Sequence, residues 1–122
     1  MNQLSLPVTG PRFGLTAGNE SGNIRIIRLS DSVDVGAFSI HITGDQIVID
    51  SLCIEPAHRS YGAGSEAARL LTQAAADAGA TLLRAWAHPN LGLSAYFWGR
   101  MGLHPLHGAG PEGGIWFERS LV

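Results

Sequence analysis

The sequence predicts an α/β domain on a mixed sheet, an antiparallel meander leading into a β-α-β-α-β-β second half. Three observations predict it. Three short runs rich in β-branched residues lie between Ile24 and Ile54, separated only by turns. An i, i+3, i+4, i+7, i+8, i+11 apolar stripe follows, made by Ala67, Leu70, Leu71, Ala74, Ala75 and Ala78. A further strand-like run, Thr81 to Ala87, comes directly after that helix.

Residues 1–22 are rich in Gly, Pro, Asn, Ser and Thr without sustained periodicity. They are expected to form a loose arm, with one short strand near Phe13 to Ala17. Ile24 to Leu29 is the first strand of the meander, closed by Asp31-Ser32. Val33 to Ile42 is the second, and its apolar parity switches near Gly36, the mark of a bulge or bend. Thr43-Gly44-Asp45 turns the chain into the third, Gln46 to Ile54, which Glu55 and Pro56 stop. Connections this short pair strands antiparallel. The helix that follows ends at Gly79 in the C′ role, and its crossover makes Thr81 to Ala87 parallel to the third strand. His88-Pro89-Asn90 breaks that strand. A short helix from Leu91 or Leu93 to Met101 is closed by Gly102, and strands at Leu103 to His107 and Ile115 to Leu121 flank a Gly/Pro-rich loop.

Composition bounds the function. The chain has 122 residues, enough for one domain, with 45% apolar and only 15% charged residues. A net charge of −2 and the complete lack of lysine leave no basic field or run for nucleic acid. No apolar stretch reaches membrane-spanning length and the first residues lack a signal-peptide layout, so a cytoplasmic protein is expected. The lone Cys53 cannot form an internal disulfide, which fits a reducing compartment. It is expected as a buried strand residue. The five histidines show no metal-ligand spacing, so no metal is expected.

Chemistry concentrates between the third strand and the first helix, where Arg59, Gly62 and Gly64 form an Arg-x-x-Gly-x-Gly turn. A glycine-rich turn opening a helix presents free N–H groups and the positive end of the helix dipole, which suits a pyrophosphate. Gly62-x-Gly64-x-x-Ala67 also fits the dinucleotide-binding pattern. That fold, however, needs the glycines after its first strand and a carboxylate ending the second. Here three strands precede the glycines, and Trp86-Ala87-His88 ends the next one.

Leu52-x-Ile54-x-Pro56-x-x-Arg59-x-x-Gly62-x-Gly64, after a meander and into a helix, resembles the acyl-CoA-binding motif of the GCN5-related N-acetyltransferases. The resemblance runs on through Asn90 and the helix ending Trp98-x-x-x-Gly102-Leu103, covering about Ile24 to Leu121. It implies an acyl-CoA N-acyltransferase fold in short form, with residues 23–122 as a single N-acetyltransferase-like domain. It also implies acetyl-CoA as donor and a primary amine as acceptor, joined by direct attack in a ternary complex. In that family the third strand splays from its parallel neighbour, so Leu52 and Ile54 would hold the pantetheine arm. Backbone from Ser60 through Tyr61, Gly62, Ala63 and Gly64 to Ser65 would cradle the pyrophosphate beside Arg59, and Asn90 would also contact the cofactor.

Two departures stand out. The family often protonates the leaving thiolate from a tyrosine where this chain has Trp98, whose indole is no acid; either Tyr96 is the candidate acid through a shifted helix, or the thiolate leaves unaided, or the protein does not catalyse. Asp50 is the candidate base, with Glu55, His41 and His88 as further options. Phe97 is expected only to pack. The second departure is the lack of the two helices that normally wall the acceptor site, since prolines and glycines interrupt residues 1–24. The acceptor side is expected to be open, or completed by a second copy in a homodimer or by a partner protein. The other reading is a non-catalytic acyl-CoA-binding or partner-binding module.

Overall fold

The computed structural model describes residues 1–59, 61–88, 92–106 and 114–122, with the backbone alone at 92–94. Strands β1 (Val8–Thr9), β2 (Phe13–Ala17), β3 (Asn23–Arg28), β4 (Val33–Thr43) and β5 (Gln46–Ile54) come first. A 3₁₀ turn at Pro56–His58 leads to helix α1 (Ala63–Asp77), strand β6 (Leu82–Ala87), helix α2 (Gly92–Arg100), and strands β7 (His104–Pro105) and β8 (Ile115–Ser120). They form one sheet in the order β1-β2-β3-β4-β5-β6-β8-β7. The meander β3-β4-β5 is antiparallel, and β6 joins β5 in parallel, as the crossover helix requires. The strand expected at Leu103 to His107 shortens to β7, with Leu106 N–H still donating to Trp116 O at 2.8 Å just beyond it; His107 lies outside the described residues.

The parity switch near Gly36 is a bulge. Ile26 pairs with Gly36 but Ile27 pairs with Asp34, so Val35 is the extra residue and is fully buried. A second irregularity follows on β5, where Ser39 opposes Ser51 and Ile40 opposes Ile49. Asp50 is the residue left over. Such insertions twist the strand and re-aim side chains.

Both helices pack on the same face. Phe38, Ile47, Ile49, Leu83 and Phe117 of the sheet share one buried cluster with Ala67, Leu71 and Ala75 of α1 and with Trp98 and Met101 near α2. Alanines let α1 lie close, while Leu71 fills the space between. Each helix closes with a paired hydrogen-bond motif. Ala80 N–H donates to Ala75 O and Gly79 N–H to Ala76 O; Leu103 N–H donates to Trp98 O and Gly102 N–H to Gly99 O.

The opposite face of the meander carries no helix among the described residues. It presents Arg25 bound to Asp34 at 2.6 Å, with Ser39, His41, Ser51 and Cys53 exposed. Cys53, expected to be buried, is exposed for this reason: its strand is covered on one side only.

Residues 1–22 are not the loose arm that composition predicts. Phe13 and Leu15 of β2 are buried in the core, β2 pairs along its length with β3, and Asn2 N–H donates to Ala78 O at 2.6 Å. The anchor is Glu66 on α1, only 9% exposed. Its Oε2 accepts the backbone N–H groups of Arg12 and Phe13 at 2.8 and 2.7 Å, and its Oε1 lies 3.5 Å from Arg12 Nε. A carboxylate so placed is tolerated because its charge is met by two N–H donors and a nearby guanidinium. Glu66→Ala leaves the buried Phe13 amide and the part-buried Arg12 amide without an acceptor. It should lower unfolding stability by about 2–3 kcal/mol in chemical denaturation and speed hydrogen exchange at Arg12 and Phe13.

Candidate functional site

The sheet opens at one place. Pairing between β5 and β6 runs from Gln46–Leu82 to Ile49–Ala85 and stops. Beyond it β5 continues through Asp50 to Ile54, held by β4, while β6 continues through Trp86 and Ala87, held by β8. Two strand edges therefore face each other without a ladder between them. Edges of this kind take up an extended ligand as an added strand. Leu52 and Ile54 lie on one side of this fork, half-buried.

The glycine turn stands at the end of the fork. Gly62 is the N-cap of α1 with φ 80°, ψ 9°, and no side chain caps the helix. A residue with a Cβ there would be strained in the left-handed region, and its Cβ would come within 2.6 Å of an Arg12 guanidinium nitrogen. Ala63 and Ser65 begin the helix, so their amides are among those with no partner inside it. Gly64 lies under Phe97: a Cβ at 64 would sit 3.5 Å from the Phe97 ring and 3.9 Å from Ile54. Phe97 borders the fork and packs against the core, as expected of it. Arg59 bends back over the strand end, and its Nε donates to Ile54 O at 3.0 Å. Tyr61 is exposed. Ser60 and Asn90 lie outside the described residues.

On α2 the position matching the usual tyrosine, Trp98, is only 4% exposed and belongs to the core. Tyr96 lies on another side of the helix, 65% exposed, with the Arg100 guanidinium 5.7 Å from its ring. Asp50 and His41, separate candidates in the sequence, are brought together by the register of β4 and β5. His41 Nδ1 and Asp50 Oδ2 are 2.8 Å apart on the open face. Glu55 is exposed at the strand end, and its N–H donates to Val35 O. His88 lies 5.0 Å from the Trp86 ring. Among the described residues no cluster of three His, Cys, Asp or Glu side chains could hold a metal, and no described helix is long and apolar enough to cross a membrane.

A groove of about 710 Å³ adjoins the glycine turn, lined by Arg12, Phe13, Arg28, His58 and Tyr61 among others. Its arginines already have carboxylate partners. Arg28 donates to both oxygens of Asp31, which raises the arginine pKa and holds the Asp31 carboxyl below its usual range. Arg12 is the site neighbour that sequence reading missed, because no local pattern links it to Gly62, fifty residues on. Glu66 carried a usable signal: a carboxylate on the buried stripe of a helix must have donors nearby.

The model of the acetyltransferase (GNAT) family matches residues 16–103. No curated protein matches the sequence. Solved structures share the fold at low identity. A GNAT-family acetyltransferase from Bacillus anthracis aligns with a TM-score of 0.71 and 18% identity, over 82% of this chain and 66% of that one. A protein of Sphaerobacter thermophilus assigned as an acetyltransferase gives 0.71 and 13%, over 97% and 99%. One from Salmonella typhimurium, solved with its cofactor acetyl-CoA, gives 0.69 and 16%, over 83% and 66%. From the geometry of the turn, Gly62→Ala should cost about 1–2 kcal/mol of stability, read by chemical denaturation, and displace Arg12 from the turn.

Proposed function

The chain belongs to the acetyltransferase (GNAT) family, and on that premise we propose that it transfers an acetyl group from acetyl-CoA to a primary amine by direct attack in a ternary complex. The observation that carries this reading is the end of β5–β6 pairing at Ile49–Ala85, immediately before the glycine turn. The pantetheine arm lies in that fork as an added strand along Leu52 to Ile54, with Gly64 and Phe97 beside it. Arg59 gives up Ile54 O to the arm and turns its charge to the pyrophosphate. Amides from Ser60 to Ser65 hold the phosphates at the positive end of α1, and Asn90 contacts the cofactor from the far strand. No metal is required by this chemistry.

The acceptor nitrogen attacks the thioester carbonyl, a C–N bond forms and the C–S bond breaks. The amine gives up a proton and the departing thiolate takes one. Tyr96 is the phenol of α2 and the candidate donor to that thiolate. Asp50 stands on the acceptor side. The bare face of the meander admits a bulky acceptor, or a second copy or partner protein that completes the wall, and the cytoplasm is the proposed place of action. One observation favours the alternative of a non-catalytic acyl-CoA-binding or partner-binding module: Trp98 fills the core at the position of the usual acid.

Thermal unfolding with acetyl-CoA tests the cofactor corner. At ~100 times its dissociation constant the ligand should stabilise the wild type by about 2.7 kcal/mol, and Arg59→Glu should lose most of that shift. Thiol release with a panel of primary amines separates the two readings. An enzyme turns over, with Tyr96→Phe about 10²-fold slower, whereas a module binds acetyl-CoA and releases nothing.

A further inference from the structure

His41 and Asp50 face each other from neighbouring strands, on the side of the sheet that carries no helix among the described residues. The contact depends on the irregularity in β5. A regular ladder would pair residues one to one, but here Ile40 opposes Ile49 and Ser39 opposes Ser51. Asp50 has no partner of its own across the ladder, and its carboxylate meets the His41 ring at 2.8 Å. Asp50 is also the first residue of β5 past its last pair with β6. Asp50 therefore stands at the closed end of the fork, where the two strands begin to part. Neither group is sealed off, with the His41 side chain 54% and the Asp50 side chain 44% exposed.

An ionised carboxylate can only accept, so the Nδ1 that faces it must carry the proton. In the neutral imidazole that contact fixes the tautomer and leaves the lone pair on Nε2. A base oriented by a second group is the arrangement that nucleophilic attack by a weakly activated amine calls for. We propose that His41 Nε2 is the general base that takes the proton from the acceptor amine, with Asp50 acting as a positioning residue that holds the ring. This rests on the transferase reading, and it moves Asp50 from the base itself to the group behind the base. In the step, the amine nitrogen bonds to the acetyl carbon as the C–S bond breaks, the amine proton passes to Nε2, and CoA leaves as the thiolate, which takes a proton from the candidate donor Tyr96. No further reactant is needed.

The test compares wild type, His41→Ala, His41→Gln and Asp50→Asn. Acetyl-CoA binding is read from thermal stabilisation, and turnover from thiol release with the best amine of the panel. The expected result is unchanged acetyl-CoA binding in all four, with kcat lower by about 10²-fold or more in both His41 variants. Imidazole in solution should restore part of the rate of His41→Ala. Asp50→Asn should lower kcat without changing KM for acetyl-CoA. Wild-type turnover in His41→Ala overturns the assignment and leaves the transferase reading standing, and so does a loss that imidazole does not restore. A wild type that binds acetyl-CoA yet releases no thiol to any amine overturns the transferase reading, and the base assignment falls with it.

Discussion

The parallel ladder between β5 and β6 ends after Ile49–Ala85, and the candidate site depends on that early end. Up to that pair the two strands form the centre of the sheet, with Ile47, Ile49, Leu83 and Ala85 buried under the helices. Past it each strand is held only from outside, β5 by β4 and β6 by β8. Backbone groups that would have bonded one another are thereby left along the two facing edges. Unmet backbone groups inside a protein are costly, so a structure keeps such a gap where something else can satisfy them. Here Arg59 meets one, the Ile54 carbonyl.

The elements around the fork support it from three directions. α1 starts at its open end, so the glycine turn and the helix dipole point toward the same region as the strand ends. α2 brings Phe97 over Gly64 and seats Trp98 in the core. From the N-terminal side Arg12 reaches the glycine turn, because Glu66 draws the backbone of Arg12 and Phe13 against the first turns of α1. Arg12 then comes to rest beside Gly62. Stability and site are linked here, since the carboxylate that ties β2 to the helix also fixes a cation next to the turn.

Single-sided covering of the meander has its own consequence. A sheet with both faces packed would bury His41, Asp50, Ser51 and Cys53, and their polar groups would then need partners inside the protein. With one face bare there they remain accessible, and β4 from Phe38 to His41 and β5 from Ser51 to Ile54 alternate between core-facing and exposed residues. The bulge residue Asp50 breaks that alternation, which puts a carboxylate beside His41.

Much of this was legible in the sequence, because it is set by local physics. Period-2 and period-3.6 patterns, the turns at Asp31 and Gly44, and glycines closing both helices gave the elements and their order. A helix between two strands fixed their parallel pairing, and the parity switch near Gly36 disclosed a bulge. The Arg59 to Gly64 turn was readable for the same reason. What tertiary structure alone decided are contacts between residues far apart along the chain: Ile49 with Ala85, Arg12 and Phe13 with Glu66, Phe97 with Gly64, His41 with Asp50. The N-terminal residues look loose in composition because their order comes from an acceptor on a helix fifty residues later. Where a ladder stops, which face stays bare and which base meets which carboxylate are properties of register and packing, and no short stretch of sequence encodes them.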